Sequence, residues 1–435
     1  MGKGTVVVID GGGRGAALVH KYSESSHVKK IIAIPGNDLM ALNTGKNVET
    51  HQNISTTSAR EILEICKKEN PDLIDVAQDN AVEAGVTDAL LEKGFNVSGP
   101  TRAAGQIEWD KAWSRNFMIK YGLPSPVFKV FNSTATAKEF IEEQKEDKVW
   151  FIKAAGLAEG KGVIPAGSNS EALEKIDEIK NFGSASETFL IEEGLKGEEF
   201  SMFAISDGKT FQIIGSAQDH KRLYDGDLGP NTGGMGCSTP PLVVTKDIYK
   251  QAEKIIKKTI DGLSEEGRRY CGILYLGAMV VSGEVFVIEF NARWGDPEAE
   301  VIIPGIQNDM FEVGMNVARG TLSDIIIKTD DKARVVVTGA LKPGTTVTKR
   351  ELFGVDKISK LPNVLFYGTR VTYENGRYFV SSGRLFHVVG EGKTVIEARE
   401  KAYEAMAQLR IEGDYLHFRT DIGWRDVERL KKNKI

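Results

Sequence analysis

The chain has 435 residues, 41% of them hydrophobic, more than one core usually supports, so two to four packed units are expected. Its 56 basic residues stand against 61 acidic ones, a net charge of -5, which leaves no whole-molecule field to recruit nucleic acid. Three widely spaced cysteines, Cys66, Cys237 and Cys271, with no CxxC between them, argue against a disulfide framework or a thiolate zinc site and suit a reducing compartment.

No charged-then-apolar leader precedes the first strand, and no apolar run approaches the ~18 residues of a membrane span. A cytoplasmic chain without membrane contact is expected. Residues 4–9 form a β-branched run that ends in Asp10 and the glycines Gly11, Gly12 and Gly13, and AALVHKY beyond it has helical character. Apolar residues 29–35, a helix over 59–69, a strand over 72–77, a helix over 81–93 and FNVSGP at 95–100 continue the alternation. Strands and helices alternating through short loops predict a parallel sheet with right-handed crossovers over 1–104.

A helix over 106–121, carrying Trp109, Lys111 and Trp113, opens the next unit and is broken by Pro124 and Pro126. The strands VFKVF, VWFIKAA, GVIPA and TFLIEEG, with a helix over 170–180, predict a small α+β lid at about 124–192 inside a unit running over 105–330. Strands at 200–205 and 211–216, a glycine-rich loop at 226–236, a helix over 246–266 and strands at 272–281 and 284–291 complete that unit. Residues 331–435 read as a final α+β module, and there is no internal repeat or low-complexity tract.

IEFNARWGDPEAE, residues 288–300, is the densest stretch of chemistry. In an extended strand Glu289 and Asn291 share one face while Ile288 and Phe290 point into the core. A carboxylate and an amide oxygen suit a Mg²⁺ held jointly with substrate phosphates. Arg293 follows where a guanidinium stabilises charge on phosphate or acyl oxygens. For an isolated Glu-x-Asn an edge strand with a solvated acidic turn is the favoured account, so the other motifs decide.

The first glycine turn, GGGRGA, can bring backbone N–H groups to an anion at a helix N-terminus, but the acid a dinucleotide site needs after the second strand is replaced by Pro35 and Gly36. A phosphate or phosphosugar cradle therefore fits better than a nicotinamide site, and a plain structural turn fits as well. KAAGLAEGKG, residues 153–162, is not a Walker A loop, since three residues separate Gly156 from Gly160 and Gly162 replaces the Ser or Thr. It reads as a strand lysine, Lys153, followed by a glycine hairpin carrying Lys161 that closes over a triphosphate. In IEEGLKGEE, Glu192 and the Leu195 backbone can meet an adenine edge and Glu199 can accept from ribose hydroxyls, whereas Glu193 and Glu198 read as a solvated turn. SAQDHKRLYDGDLGPNTGGMG sets Asp219, His220, Lys221 and Arg222 at a strand end before a loop whose glycines suit close backbone approach to a ligand. His220 has no second histidine at metal spacing.

Taken together, KAAGLAEGKG, IEEGLKGEE, SAQDHKR, GPNTGGMG, EFNARWGDPE and the terminal DIGWR resemble, in order and spacing along nearly the whole chain, an ATP-grasp ligase of the phosphoribosylamine–glycine ligase family of purine biosynthesis. The resemblance implies an N-terminal Rossmann-like parallel-sheet domain, an ATP-grasp fold and a C-terminal α+β domain, a mixed α/β and α+β architecture. It implies that ATP phosphorylates glycine and that the amine of 5-phosphoribosylamine attacks the glycyl phosphate. Carried over by position, Lys111 and Lys153, with Lys161, would hold ATP phosphates, and Glu192, Leu195 and Glu199 the nucleoside. Glu289 and Asn291 would bind Mg²⁺ or Mn²⁺. Asp219, Lys221, Arg293 and Asp296 would line the acyl-phosphate region, with Gly12, Gly13, Arg14 and Asp79 near the phosphoribosyl group. A monomer or weak dimer is expected.

The departures lie in the N-terminal unit. The family's GGREHAL is GGRGAAL here, with Gly15 and Ala16 replacing an acid and a histidine, and its GPEAPL is AQDNAV, where Asp79 alone keeps acid character. Trp294 for phenylalanine and Ala155 for aspartate are smaller changes beside the nucleotide machinery. An ATP-grasp ligase with another amine or acid, and a nucleotide-binding protein without turnover, are the competing readings; a dehydrogenase is disfavoured by the missing ribose-binding acid.

Overall fold

The computed structural model describes residues 4–158, 162–345 and 349–432. The N-terminal unit is a five-stranded parallel sheet with strands in the spatial order Asn47–Thr50, Val28–Pro35, Gly4–Asp10, Leu73–Val76 and Val97–Ser98. Gly4–Asp10 lies at its centre, and Val6, Val7, Val8 and Ile9 are wholly buried, which is why this strand reads as an unbroken β-branched run. The chain winds outward on one side of this strand and then on the other, so the carboxyl ends of Gly4–Asp10 and Leu73–Val76 flank a switch point, the usual place for a ligand in such sheets.

Helix Ala59–Glu69 lies where the apolar period puts it. Two other expected helices are each split. Gly85, at φ +74°, separates Asp79–Glu83 from Val86–Glu92. Asp110 leaves helical geometry at φ -127° and ψ 92°, ends Arg102–Trp109, and caps Lys111–Lys120 by accepting from Trp113 N at 3.0 Å. A single non-helical residue hardly disturbs a 3.6-residue pattern, so periodicity alone passes over such a break. The break places Lys111 at the first turn of its own helix.

The lid is a four-stranded antiparallel sheet, ordered Phe128–Phe131, Phe189–Glu193, Trp150–Ala154 and Val163–Ala166, with a separate small core around Phe131, Trp150, Phe189 and Ile191. The helix expected over 170–180 is Asn169–Lys175 followed by 3₁₀ turns at Ile176–Ser186. The main sheet runs antiparallel from Glu284–Asn291 through Cys271–Val281, Glu198–Asp207, Phe211–Asp219 and Gly236–Thr239. It then continues into Ala333–Leu341, Arg384–Gly392 and Val364–Gly368. The chain near 331 is therefore no break in hydrogen bonding: the last module extends the same sheet, and adds a small four-stranded sheet of its own.

Helix Lys246–Glu265 covers one side of this sheet with Ile248, Ala252, Ile255, Ile256, Ile260 and Leu263 buried at helical spacing. Thr245 caps it, accepting from Ile248 N at 3.3 Å. No helix among the described residues is long and apolar enough to cross a membrane.

Candidate active site

Glu284–Asn291 pairs with Cys271–Val281, and its register slips by one residue opposite Gly277 and Ala278. This bulge leaves Val285, Val287 and Phe290 facing the core, while Ile288 turns to a cleft beside Glu289. The expected inward position of Ile288 is corrected by that extra residue, since strict alternation holds only in an unbulged strand. Glu289 and Asn291 keep a common face, and Arg293, just past the strand end, donates to Asn291 Oδ1 at 3.2 Å and pairs with Glu108 at 3.0 Å.

The cleft has a volume of about 460 Å³. It gathers Lys111, Lys153, Leu195, Glu199, Asp219, Lys221, Glu289, Asn291, Arg293 and Asp296, with Asp79 from the N-terminal unit. Lys161 lies outside the described residues. Lys111 Nζ reaches Gly156 O at 3.3 Å, and its backbone N–H donates to Ala155 O at 2.9 Å, fixing the helix start against the lid. Burial lowers the Lys111 pKa. Lys221 lies 3.3 Å from Glu199 and 3.9 Å from Glu289, and the Glu199 charge is the main reason its ammonium is held strongly protonated. Burial disfavours the ionised form of Glu289, but Lys221, Lys153 and Lys111 outweigh it and keep the carboxyl below its usual value. An ionised carboxylate beside an amide oxygen, ringed by lysines, is a hard-oxygen donor set compatible with a Mg²⁺ or Mn²⁺ that arrives with polyphosphate.

Glu192 also lines the cleft. Its side chain is 2% exposed and takes Arg115 Nε at 2.5 Å, Arg115 Nη2 at 2.9 Å and Lys153 Nζ at 2.5 Å. The carboxylate thereby anchors a lid strand to the helix bearing Lys111. Burial works against this charge, but Lys153 and Arg115 hold the pKa down to about 2.

The glycine turn also differs. Asp10 Oδ1 accepts from Gly12 N at 2.5 Å and from Gly15 N at 3.1 Å, so these helix-end donors are occupied by the protein's own carboxylate. Arg14 is buried, with its guanidinium on Asp10 Oδ2 at 2.7 Å, on Trp294 O at 2.8 Å and on Gln78. Gly13 packs against His387 and Glu300. In this conformation Gly12, Gly13 and Arg14 are not among the residues lining the cleft, and the short side chain of Asp10 folds back onto the Gly12 and Gly15 N–H groups and the Arg14 guanidinium.

Several groups that sequence patterns did not single out complete the wall. Arg384 reaches Asp296 Oδ1 at 2.8 Å from the last module, and its Nη1 also donates to Gly233 O at 2.7 Å. Tyr275 donates to Glu298 Oε1 at 2.6 Å, beside Ser201. Asp219, expected from the sequence, is half-buried with its Oδ1 covered and unpaired, and burial, then the nearby Glu298, pushes its pKa well up. Gly234, at φ +108°, lets the glycine loop lie against Asp219: a Cβ there would fall 2.7 Å from Asp219 Oδ1. The one signal available for Arg384 and His387 was a charged residue and a histidine within an otherwise apolar strand.

Family profiles described as phosphoribosylglycinamide synthetase match as an N domain over residues 4–108, an ATP-grasp (A) domain over 109–299 and a C domain over 333–425. The chain is 35% identical over 435 residues to phosphoribosylamine–glycine ligase of Caulobacter vibrioides, covering 99% of this chain and 100% of that one. It is 36% identical to the trifunctional purine biosynthetic protein adenosine-3 of Gallus gallus, of which it spans only 43%. The solved phosphoribosylamine–glycine ligase of Thermotoga maritima superposes with a TM-score of 0.79 at 30% identity, over 96% of this chain and 100% of that one. A biotin carboxylase from Campylobacter jejuni shares the fold, with a TM-score of 0.71 at 15% identity over 95% of this chain and 92% of that one.

Proposed function

The chain belongs to the phosphoribosylglycinamide synthetase family, and from that premise we propose that it joins glycine to 5-phosphoribosylamine with ATP, through a glycyl phosphate, giving glycinamide ribonucleotide, ADP and phosphate. The observation that carries this reading is the meeting of Lys111, Lys153, Lys221 and Arg293 with the Glu289–Asn291 pair around one cleft. A carboxylate is a poor electrophile, and an acyl phosphate supplies the leaving group that this cation set can hold.

Lys111 and Lys153 bind the ATP phosphates, and Leu195 and Glu199 border the nucleoside. Glu289 and Asn291 hold the divalent metal, which when bound offsets negative charge on the phosphates. Lys221 and Arg293 draw charge from the acyl-phosphate oxygens, with Asp219 beside them, while Asp79 and Asp296 face the amine. A second reading, the same chemistry with another amine, is favoured by one observation: Arg14 is engaged by Asp10 and Gln78 instead of facing the cleft.

Purified protein with ATP, Mg²⁺, glycine and freshly made phosphoribosylamine is expected to release ADP and form glycinamide ribonucleotide, detected by mass, only when both substrates are present. ADP release indifferent to phosphoribosylamine refutes the ribosylamine assignment, and a panel of other amines then tests the second reading. ADP release indifferent to glycine as well refutes ligation of this acid.

A further inference from the structure

Behind the cleft wall, where the last module meets the N-terminal unit, an imidazole lies between two carboxylates. His387, on strand Arg384–Gly392, and Glu300, on helix Ala299–Ile302, are both wholly buried; Asp296 lines the cleft and is 11% exposed. His387 Nε2 is 3.3 Å from Asp296 Oδ1 and 3.5 Å from Glu300 Oε1, and its Nδ1 is 3.0 Å from Thr338 Oγ1. Neither Glu300 oxygen has a hydrogen-bond partner, and neither does His387 Nε2. The fit is close: a Cβ on Gly13 would fall 2.2 Å from His387 Cδ2 and 2.4 Å from Glu300 Oε1.

Unpaired buried carboxylates are costly and make a poor structural element. The charged and titratable groups packed around the cluster include Arg384 on Asp296 Oδ1 at 2.8 Å, the Arg14–Asp10 pair with Arg14 N 3.5 Å from Asp296 Oδ2, and the buried Tyr367 and Cys237, whose own titrations feel Glu300. A divalent ion bound by Asp296 Oδ1 would crowd the Arg384 guanidinium. A proton fits without that conflict. Burial and then Asp296 push the Glu300 carboxyl well up, whereas Arg384 leads the charges that overcome burial and hold Asp296 ionised. The one group of the three that reaches the cleft is therefore ionised and backed by an imidazole.

We propose that Asp296, His387 and Glu300 form a buried proton acceptor for the amine step, in which Asp296 meets the attacking nitrogen and His387, braced by Glu300, takes the proton onward. This rests on the amine-ligation reading above. As the N–C bond forms, the C–O bond of the acyl phosphate breaks and its electron pair leaves with inorganic phosphate. The N–H proton passes to Asp296 and on to His387 Nε2, and returns to water when product leaves. Asp296 touches the substrate; His387 and Glu300 act through it.

The test compares wild type with His387→Gln and Glu300→Gln across pH 5.5 to 9, with phosphoribosylamine as nucleophile and, separately, with hydroxylamine to trap glycyl phosphate. The expected result for His387→Gln is a fall in amine-dependent kcat of about 10²-fold, the lower end for general-base catalysis, with KM for ATP and glycine within twofold, hydroxamate formation retained, and the acid limb of the kcat profile lost. Glu300→Gln, nearly the same size, covers the case in which the histidine variant does not fold: the acid limb shifts, because the carboxyl facing the imidazole can no longer titrate with it, while hydroxamate formation is retained. Wild-type turnover with an unmoved limb in the folded variants overturns the proposal alone, as does a parallel loss of hydroxamate formation. Wild type that forms hydroxamate but no ribosyl amide overturns the ribosylamine reading and this proposal with it.

Discussion

Replacing Glu192 by Gln should loosen the lid without opening a cavity. Glu192 joins strand Phe189–Glu193 to Lys153 on the neighbouring strand and to Arg115, which also donates to Val287 O at 3.2 Å and Ile288 O at 2.7 Å on the strand that carries Glu289. Its pKa falls from 4.5 to about 2, since Lys153 and Arg115 outweigh the burial penalty. At 1.36 kcal/mol per unit that shift corresponds to about 3 kcal/mol, the low end of the ~3–5 kcal/mol found when one partner of a buried pair is removed. For a carboxylate with a depressed folded-state pKa, this stability is complete above the unfolded value and is lost only as pH falls through about 2. The deficit in Glu192→Gln should thus be constant between pH 6 and 9. Hydrogen exchange of peptides spanning 150–154 and 189–193 reads it directly: protection should drop about 100-fold, the equivalent of about 3 kcal/mol in a local opening equilibrium. Protection within twofold of wild type, or a deficit that changes across that pH range, would refute the reasoning.

Asp75 gives the opposite sign. Burial raises its carboxyl to about 7 despite the hydrogen bond from Tyr22 at 2.7 Å, so the folded state holds a proton the unfolded state releases, and wild-type stability declines as pH rises from about 4 through about 7. Asp75→Asn should raise Tm relative to wild type at pH 8 by the equivalent of up to about 4 kcal/mol, with the gap closing towards pH 5; an offset independent of pH would count against it. Gly234→Ala should lower kcat at least tenfold, because the left-handed φ of +108° costs about 1–2 kcal/mol for an L residue and the new Cβ would fall 2.5 Å from Pro297 and 2.7 Å from Asp219. Steady-state kinetics with near-wild-type kcat would show that the loop need not approach Asp219.

The alternation of β-branched runs with helical periods made the parallel sheet legible, because strands buried on both faces must be apolar throughout. The gathering of Lys111, Lys153 and Lys221 at one cleft was legible too, since lysines beside glycines at strand ends have few structural uses. What sequence patterns missed was decided by single residues or by distant pairing. Asp110 and Gly85 each break a helix that periodicity joins, and one bulge turns Ile288 outward. The pairing of Gly236–Thr239 with Ala333–Leu341, across about a hundred residues, is what carries Arg384 and His387 to Asp296, and no local signal records it. Arg115 was passed over for the same reason: an arginine on an amphipathic helix looks solvated until its partner, 77 residues on, is known.

The shared sheet also bears on where substrate choice resides. The two N-terminal loops that depart from the family pattern do not act on the cleft separately. Arg14 from one binds Gln78 at the edge of the other and the backbone of Trp294 on the segment that follows Glu289 and Asn291, and Asp79 is kept ionised against burial by Arg293 and Arg14. Across from them Asp296 is held by Arg384 and His387 of the last module. The end of the cleft at Asp79 and Asp296 is thus a joint of three units, whereas the end at Lys153 and Leu195 is built from the lid and the strands beside it. Loss of an acid and a histidine at Gly15 and Ala16 removes chemistry from the helix start, yet Gly13 leaves room there for His387 and Glu300 to approach. An acid and an imidazole therefore stand at the same helix end, supplied by other elements. On the proposed reading, changes at this joint can retune the amine while Lys111 and Lys153, which sit at the lid, keep their surroundings.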